Sequence, residues 1–172
     1  MNEDNQSLVE RLTNGYNQLI ERIKHTFETV EGETAPRIRK LIEETQERAV
    51  ALGELTKEEA ERISNYLKRD LDAATKFLSR GDEDTRTWLK FDLELLEDRI
   101  TDMLFYIADK SQVELADFEA KTLELAVYRS GEITSAGTLT CKRCDKHIHF
   151  YRTAHIPPCS GCHGTEFKRV IE

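Results

Sequence analysis

Four cysteines in two identical pairs constrain this chain more than any other feature. Cys141-Lys-Arg-Cys144 and Cys159-Ser-Gly-Cys162 contain all 4 cysteines of the 172-residue sequence, and 14 residues separate the two pairs. A CxxC turn presents two thiolates from one tight loop, and two such turns complete the tetrahedral shell that zinc prefers. The separation is close to the roughly 15–20 residues of zinc ribbons. The pattern therefore predicts one zinc ion bound by Cys141, Cys144, Cys159 and Cys162.

Two alternative chemistries use the same residue types. Disulfide redox chemistry at a CxxC needs the motif at a helix N-terminus after a strand, and neither pair has that surrounding sequence. Iron is bound by the same four thiolates, so the sequence leaves zinc and iron open. A closed shell of four cysteines leaves no coordination position for water. We therefore expect a structural ion and not a catalytic one.

Charge divides the chain into an acidic part and a mildly basic tail. Residues 1–127 carry 18 basic and 29 acidic residues, a net charge of −11, whereas the remaining residues carry 7 basic and 4 acidic ones, a net charge of +3. An acidic surface repels phosphate, which disfavours broad nucleic-acid binding by the first part. A small contact through the tail remains open.

Apolar residues at steps of three and four predict a first pair of helices. The first runs from about Ser7 to Val30, because Ser7 and Glu10 form a capping-box sequence. Its narrow apolar stripe is close to the pattern of paired, coiled-coil helices. The second begins at Pro36 and stops at Gly53. Its apolar face consists of Ile38, Leu41, Ile42, Ala49 and Leu52.

A second pair of helices is predicted to form an antiparallel hairpin. The capping box of Thr56 and Glu59 starts one helix, which ends at Gly81. A short acidic turn, Asp82-Glu83-Asp84, leads into a helix that runs past Ile107. So short a connection favours antiparallel neighbours. A third capping box, Ser111 with Glu114, starts a short helix or marks a bend, with apolar residues Leu115, Phe118 and Leu123 after it.

Strand-forming residues replace the helical pattern after Leu125. They surround Gly131, precede the first cysteine pair at 138–140, alternate at 147–151 and close the chain from Phe167 to Ile171. We predict an acidic helical domain over 1–126 and a zinc ribbon over 127–172. The predicted fold is mainly α with a small C-terminal β zinc ribbon. Long antiparallel helices, as a hairpin or bundle, precede a ribbon of the rubredoxin-knuckle type.

Basic and aromatic residues surround the predicted metal site. The basic ones are Lys142, Arg143, Lys146, Arg152, Lys168 and Arg169. Together with Phe150, Tyr151 and Phe167 they form a combination that can stack bases or bind phosphates. The same aromatic residues are the bulky side chains available for the small core of a ribbon. We expect Phe150 and Phe167 in that core and the charges on the solvated surface.

Four histidines also lie in the tail, namely His147, His149, His155 and His163. They are candidates for a substitute metal ligand or for a donor to a ligand, and we expect them instead on a polar β surface. The acidic turn at Asp82, Glu83 and Asp84 offers a second candidate contact with a partner. The simpler interpretation is that acidic residues near a helix N-terminus are favoured by the helix dipole.

The tail resembles the bacterial YbeL-like zinc-ribbon family. The resemblance rests on Tyr128-Arg-Ser-Gly-Glu-Ile-Thr, on Gly137-Thr-Leu-Thr and the CxxC that follows it, on Cys159-Ser-Gly-Cys162 and on Phe167-Lys-Arg. Upstream, Gly53-Glu-Leu-Thr-Lys-Glu-Glu and Leu67-Lys-Arg-Asp-Leu are also similar. The resemblance implies a helical region followed by a four-cysteine ribbon and implies no particular activity. Many ribbons have Gly directly after each CxxC, where this chain has Asp145 and His163.

The sequence favours a binding protein over an enzyme. It contains no nucleophile with a base, no glycine-rich phosphate loop and no paired-carboxylate pocket. A polar start and the lack of a roughly 20-residue apolar run predict a cytoplasmic protein without a membrane segment. Our first hypothesis is a non-enzymatic adaptor that docks on a protein or nucleoprotein partner, with possible self-association through the helices. The alternatives are an RNA- or DNA-contacting factor that uses the ribbon, and a regulator of a large machine, such as RNA polymerase or the ribosome, that uses the acidic turn.

Overall fold

Four helices precede a small β region in the computed structural model, which describes residues 3–29, 38–79, 99–110 and 127–170. The helices in these ranges are α1 (Glu3–Thr29), α2 (Ile38–Ala51), α3 (Lys57–Ser79) and α4 (Arg99–Lys110). The predicted fold class, a mainly α chain with a C-terminal β ribbon, is confirmed.

The helices pack around one apolar core. The stripe of α1 contributes Tyr16, Leu19, Ile20 and Ile23, which are at most 1% exposed. The other helices add Ile38, Ile42, Ile63, Leu67, Leu71, Met103, Leu104 and Ile107. Helix α1 contacts α2, α3 and α4, so its apolar stripe is covered within the chain. None of the helices in the described ranges has the length and hydropathy to cross a membrane.

The helix ends correct two predictions and confirm two. Helix α1 begins at Glu3, so Ser7 lies inside the helix and does not cap it. Leu52 was predicted on the buried face of α2, but it follows the end of the helix and is 60% exposed. Gly53 ends α2 as predicted, with φ 70° and its N–H donating to the Val50 carbonyl at 3.0 Å. Thr56 and Glu59 form the predicted reciprocal cap, at 2.9 and 3.2 Å.

The predicted hairpin tip lies outside the described residues. The described ranges also exclude Gly81, the acidic turn at 82–84, and the capping box of Ser111 and Glu114. The described part of the last helix agrees with its predicted face. Ile100, Met103, Leu104 and Ile107 all lie in the shared core.

Six short strands form the ribbon. They are β1 (Tyr128–Arg129), β2 (Ile133–Thr134), β3 (Gly137–Cys141), β4 (His147–Phe150), β5 (Ala154–His155) and β6 (Glu166–Arg169). One antiparallel sheet has the order β1-β6-β3-β4, and β2 pairs with β5 in a second, two-stranded sheet. Strand β5 was not predicted. Phe150 and Phe167 are 8% and 0% exposed, which confirms their predicted place in the ribbon core.

Candidate metal centre

The four cysteine sulfurs form one compact cluster. All four Sγ atoms lie within 4.8 Å of one another. Cys141 and Cys162 are 3.6 Å apart, and Cys144 and Cys159 are 3.5 Å apart. A disulfide would need about 2.05 Å, whereas four sulfurs around zinc at bonds of about 2.3 Å lie about 3.8 Å from one another. The cluster therefore consists of free thiols at a spacing that fits a tetrahedral ion.

Both CxxC turns have the same backbone hydrogen bonds. The Cys141 sulfur accepts from the Arg143 N–H, and the Cys159 sulfur accepts from the Gly161 N–H, each at 3.4 Å. The carbonyl of the first cysteine in each turn accepts from the residue four positions later, at 3.0 Å in one turn and 2.8 Å in the other. Such N–H groups stabilise negative charge on sulfur, as a metal-bound thiolate requires. The two loops are therefore independent copies of one ligand-presenting turn.

A left-handed residue closes each turn. Asp145 has φ 56° and His163 has φ 57°, at the two positions where many ribbons have Gly. Asp visits this region at modest cost, whereas a larger side chain costs about 1–2 kcal/mol. Both residues nevertheless adopt the left-handed conformation. It reverses the backbone after each CxxC, so that both cysteines of a pair face the centre of the sulfur cluster.

Gly164 permits the close approach of the two turns. A Cβ atom at this position would lie 3.2 Å from both the Cys141 and Cys162 sulfurs. That distance is tighter than most contacts of real side chains, so a larger residue would push against the cluster. The residue type is therefore explained by the sulfurs around it.

Hydrogen bonding makes the thiols unequal as acids. The N–H groups of Gly161 and Cys162 lower the pKa of Cys159 to about 6. The N–H of Lys146 lowers the pKa of Cys144, but hydrogen bonds with the thiols of Cys162 and Cys159 raise it more, to about 12. A bound metal ion would replace these shared protons, since thiolates are the metal ligands.

The histidines stand apart from the sulfurs. Within the described residues, the only group of potential ligands close enough to bind a metal is the four cysteines. His147, His149 and His163 are exposed, as predicted for a polar surface. The His149 ring lies 2.9 Å from the Thr138 hydroxyl. His155 is half-buried, and burial lowers its pKa.

Five of the six predicted basic contact residues lie on the surface. Lys142, Arg143, Lys146, Arg152 and Lys168 are exposed. Lys142 pairs with Glu166 at 3.3 Å, with both side chains about half exposed. Arg169 differs, because its side chain is only 13% exposed and its guanidinium is bonded within the chain. It is therefore not available as an open contact. The other candidate contact, Asp82, Glu83 and Asp84, lies outside the described residues.

Arg169 belongs to a buried polar network that joins the ribbon to the helices. Its Nη1 donates to the Ala136 carbonyl at 2.8 Å and its Nε donates to the Tyr128 hydroxyl at 3.0 Å. From helix α3, Arg69 lies over the Tyr128 ring, 3.7 Å from its centre, and donates to the Glu132 carboxylate and the Ile133 carbonyl at 2.5 and 2.7 Å. Side chains of helix α3 and of the ribbon therefore belong to one hydrogen-bonded network.

Asp70 lies at the centre of this network. It is 1% exposed and accepts from the Tyr16 hydroxyl at 2.7 Å and from the Ser135 N–H at 2.8 Å. Burial raises the pKa of Asp70. The charges of Arg69 and Arg169 and these hydrogen bonds lower it by more, so the resulting pKa lies below the ordinary value for Asp. The reverse holds for Tyr16, whose pKa is raised by burial and by Asp70.

Sequence patterns did not reveal this network. Arg69 and Asp70 lie on α3 among other charged residues, and Leu67-Lys-Arg-Asp-Leu was noted only for its resemblance. Their distinguishing signal is position in the sequence, since both lie between Leu67 and Leu71, which are buried. A charged pair between buried leucines was the available clue.

Comparisons with known proteins also place the four cysteines in a zinc-ribbon domain. A protein-family model described as "Zinc-ribbon containing domain" matches residues 25–171. Proteins named "Uncharacterized protein YbeL", from Escherichia coli strains K12 and O157:H7, are 27% identical over 77 residues, which cover 45% of this chain. The matched segment spans 48% of the length of these relatives. No solved structure matches the chain.

Proposed function

The chain belongs to the family of zinc-ribbon-containing proteins, and on that premise we propose that it is a non-enzymatic adaptor. In this proposal the ribbon docks on a protein or nucleoprotein partner, while the helices form the body that carries it. The observation behind the proposal is the pairing of a closed thiol cluster with a ribbon that is bonded to the helices through buried charges. Such an arrangement presents a rigid surface.

Cys141, Cys144, Cys159 and Cys162 would bind a single zinc ion. The ion would crosslink the two turns and contribute about 10–16 kcal/mol of apparent binding free energy to the folded ribbon. The protein would need a reducing compartment such as the cytoplasm, where thiols are kept free of disulfides. The sulfur spacing of 3.5–3.6 Å supports such a site.

The donor set argues against a catalytic role for the ion. Four cysteines fill a tetrahedral shell, so no position is left for water or substrate. The backbone N–H groups at the turns are aimed at the sulfurs, where they stabilise thiolates and not a reacting group. These features support a structural ion.

Aromatic burial supports a protein partner over a nucleic acid. Base stacking needs exposed aromatic faces, but Tyr128, Phe150 and Phe167 are 2%, 8% and 0% exposed. Among the ribbon aromatics, Tyr151 is the exposed one, at 72%. The ribbon thus offers a single stacking position and a basic surface of moderate charge.

The adaptor proposal is tested by affinity purification of the full chain from its own cells, with and without nuclease. We expect a partner that survives nuclease and is lost with Cys159→Ser, because that substitution removes a ligand and unfolds the ribbon. Recovery that disappears with nuclease would favour the nucleic-acid alternative. Turnover by the purified chain that depends on one of its residues would refute the non-enzymatic role. In parallel, metal analysis should give one zinc per chain, with thiols that do not react with a disulfide reagent until zinc is removed.

A further inference from the structure

We propose that the outer edge of strand β4 is a docking edge that accepts an extended, acidic segment of a partner protein as an added strand. The docking edge is the unpaired side of His147–Phe150. This inference rests on the proposed adaptor function and specifies where and how the partner binds.

Strand β4 lies at the end of its sheet. The order β1-β6-β3-β4 leaves one of its sides without a strand neighbour in the described part of the chain. The pairing with β3 is regular, from Gly137 opposite Phe150 to Thr140 opposite His147. Natural sheets protect their edges with proline, bulges, inward-pointing charges or very short strands. Strand β4 is short, at 4 residues, but it has no proline, bulge or charged residue, since its sequence is His-Ile-His-Phe and its register is continuous.

The backbone groups at this edge belong to the two histidines. The Cys141 N–H donates to the Lys146 carbonyl at 2.9 Å, which makes Lys146 a hydrogen-bonded partner of β3. Bonded and non-bonded pairs alternate along antiparallel strands. Ile148 and Phe150 are therefore the residues bonded to β3. The N–H and C=O groups of His147 and His149 point away from β3 and toward the docking edge.

The surroundings of the docking edge favour an acidic partner segment. Lys146 precedes β4 and Arg152 follows it, so each end of the edge carries an exposed positive charge. Arg143 lies in the adjacent CxxC turn and is also exposed, whereas Lys142 of that turn is paired with Glu166 of β6. The exposed acidic residue of that turn is Asp145. Carboxylates on a docked strand would meet these cations, and the exposed ring of Tyr151 would cover one end.

Two other occupants are less compatible with these observations. A second copy that paired its own β4 in antiparallel fashion would bring Lys146 of each chain near Arg152 of the other, which places like charges together. A single-stranded nucleic acid would use the cations but would leave the outward backbone groups of His147 and His149 without strand partners. An acidic peptide strand would pair its carboxylates with the exposed cations and its backbone with the outward N–H and C=O groups of His147 and His149.

The test selects peptides from a displayed library of random dodecapeptides on the full, zinc-loaded chain. We expect the enriched peptides to be rich in Asp and Glu and to bind the His149→Ala chain as well as the unaltered one. His149→Pro removes one outward N–H but no bond to β3, because proline is tolerated where the N–H faces solvent. It should weaken binding about tenfold, as expected for one lost hydrogen bond. Zinc content and the backbone amide NMR spectrum verify that both variants are folded.

Charge is tested with a matched pair of reversals. Arg152→Glu, at the end of the docking edge, should weaken binding about tenfold, whereas Lys168→Glu, on β6 two strands away, should change it little. The proposal is overturned if no peptide is enriched, if His149→Pro binds as well as His149→Ala, or if oligouridine binds the edge in place of peptides. In the purification from cells, a partner lost with Cys159→Ser but retained by His149→Pro would refute the docking edge and leave the adaptor function standing.

Discussion

Asp70→Asn should destabilise the protein more than any other single isosteric change at the junction of ribbon and helices. The carboxylate is 1% exposed and receives the Tyr16 hydroxyl and the Ser135 N–H on one oxygen. Its other oxygen lies 3.3 Å from Arg69 Nε and 3.9 Å from Arg169 Nη2. All of these neighbours are donors, so the amide of Asn must turn one N–H donor toward another donor.

The expected loss is about 3–5 kcal/mol, which is the usual cost of removing one member of a buried ion pair. The substitution leaves two buried guanidinium groups with Glu132, which is 20% exposed, as the remaining carboxylate of the network. A typical domain is stable by about 5–15 kcal/mol. The change should therefore remove about a fifth or more of the total free energy of unfolding.

The measurement is urea unfolding of the zinc-loaded chain, followed by circular dichroism at neutral pH. Glu58→Gln is the matched control, because Glu58 is on the same helix and pairs with Arg62 at 2.5 Å, with side chains 76% and 49% exposed. That variant should lose less than about 1 kcal/mol. Both variants should still bind one zinc, since no sulfur bonds to the network. Equal losses for the two variants would refute the assigned role of the buried carboxylate.

Three further outcomes follow from the same structure. Chelation of zinc should unfold the ribbon and preserve most of the helical circular dichroism, because the core of the helices is formed almost entirely by the helices; collapse of the helical signal would contradict this. His163→Gly should stabilise the loaded protein by about 1 kcal/mol and Asp145→Gly by less, because the left-handed region penalises His more than Asp; thermal unfolding of both variants checks the order. The lowered pKa of Asp70 means that its contribution to stability is present above its unfolded pKa of about 4 and is lost as the pH falls through the folded value. Stability should therefore fall more steeply below pH 4 in the unaltered protein than in Asp70→Asn, as measured by urea midpoints across that range.

Most of the metal site could be predicted because its chemistry is local. Four cysteines at fixed spacing specify the ligands, and each turn is closed by bonds between residues at most five positions apart. The left-handed positions were also identifiable, because the residue after each CxxC is where ribbons commonly need Gly. Local rules of this kind can be applied without knowledge of the rest of the fold.

The junction could not be predicted because it depends on residues far apart in the chain. Arg69 meets the Ile133 carbonyl across 64 positions, and Asp70 meets the Ser135 N–H across 65. In the sequence these two residues look like ordinary helix-surface charges, and their burial depends on distant contacts with the ribbon and, for Asp70, with Tyr16 of α1. The same reason explains Arg169, whose sequence neighbourhood of basic residues suggested an exposed contact. Leu52 shows the opposite case, since the apolar pattern includes it although the helix ends one residue earlier, at Ala51.

The strand order has a consequence for the path by which the chain folds during synthesis. Strand β6 is the last of the described strands in sequence but lies inside the sheet, between β1 and β3. Until Glu166–Arg169 leaves the ribosome, Tyr128 lacks Phe167, its partner across the ladder. The helices are synthesised first, so Arg69 and Asp70 at first lack their ribbon partners, the Ile133 carbonyl and the Ser135 N–H. The pairs β3–β4 and β2–β5 can form before β6 is made, but the four-stranded sheet closes only with β6, and Arg169 then completes both the sheet and the buried junction.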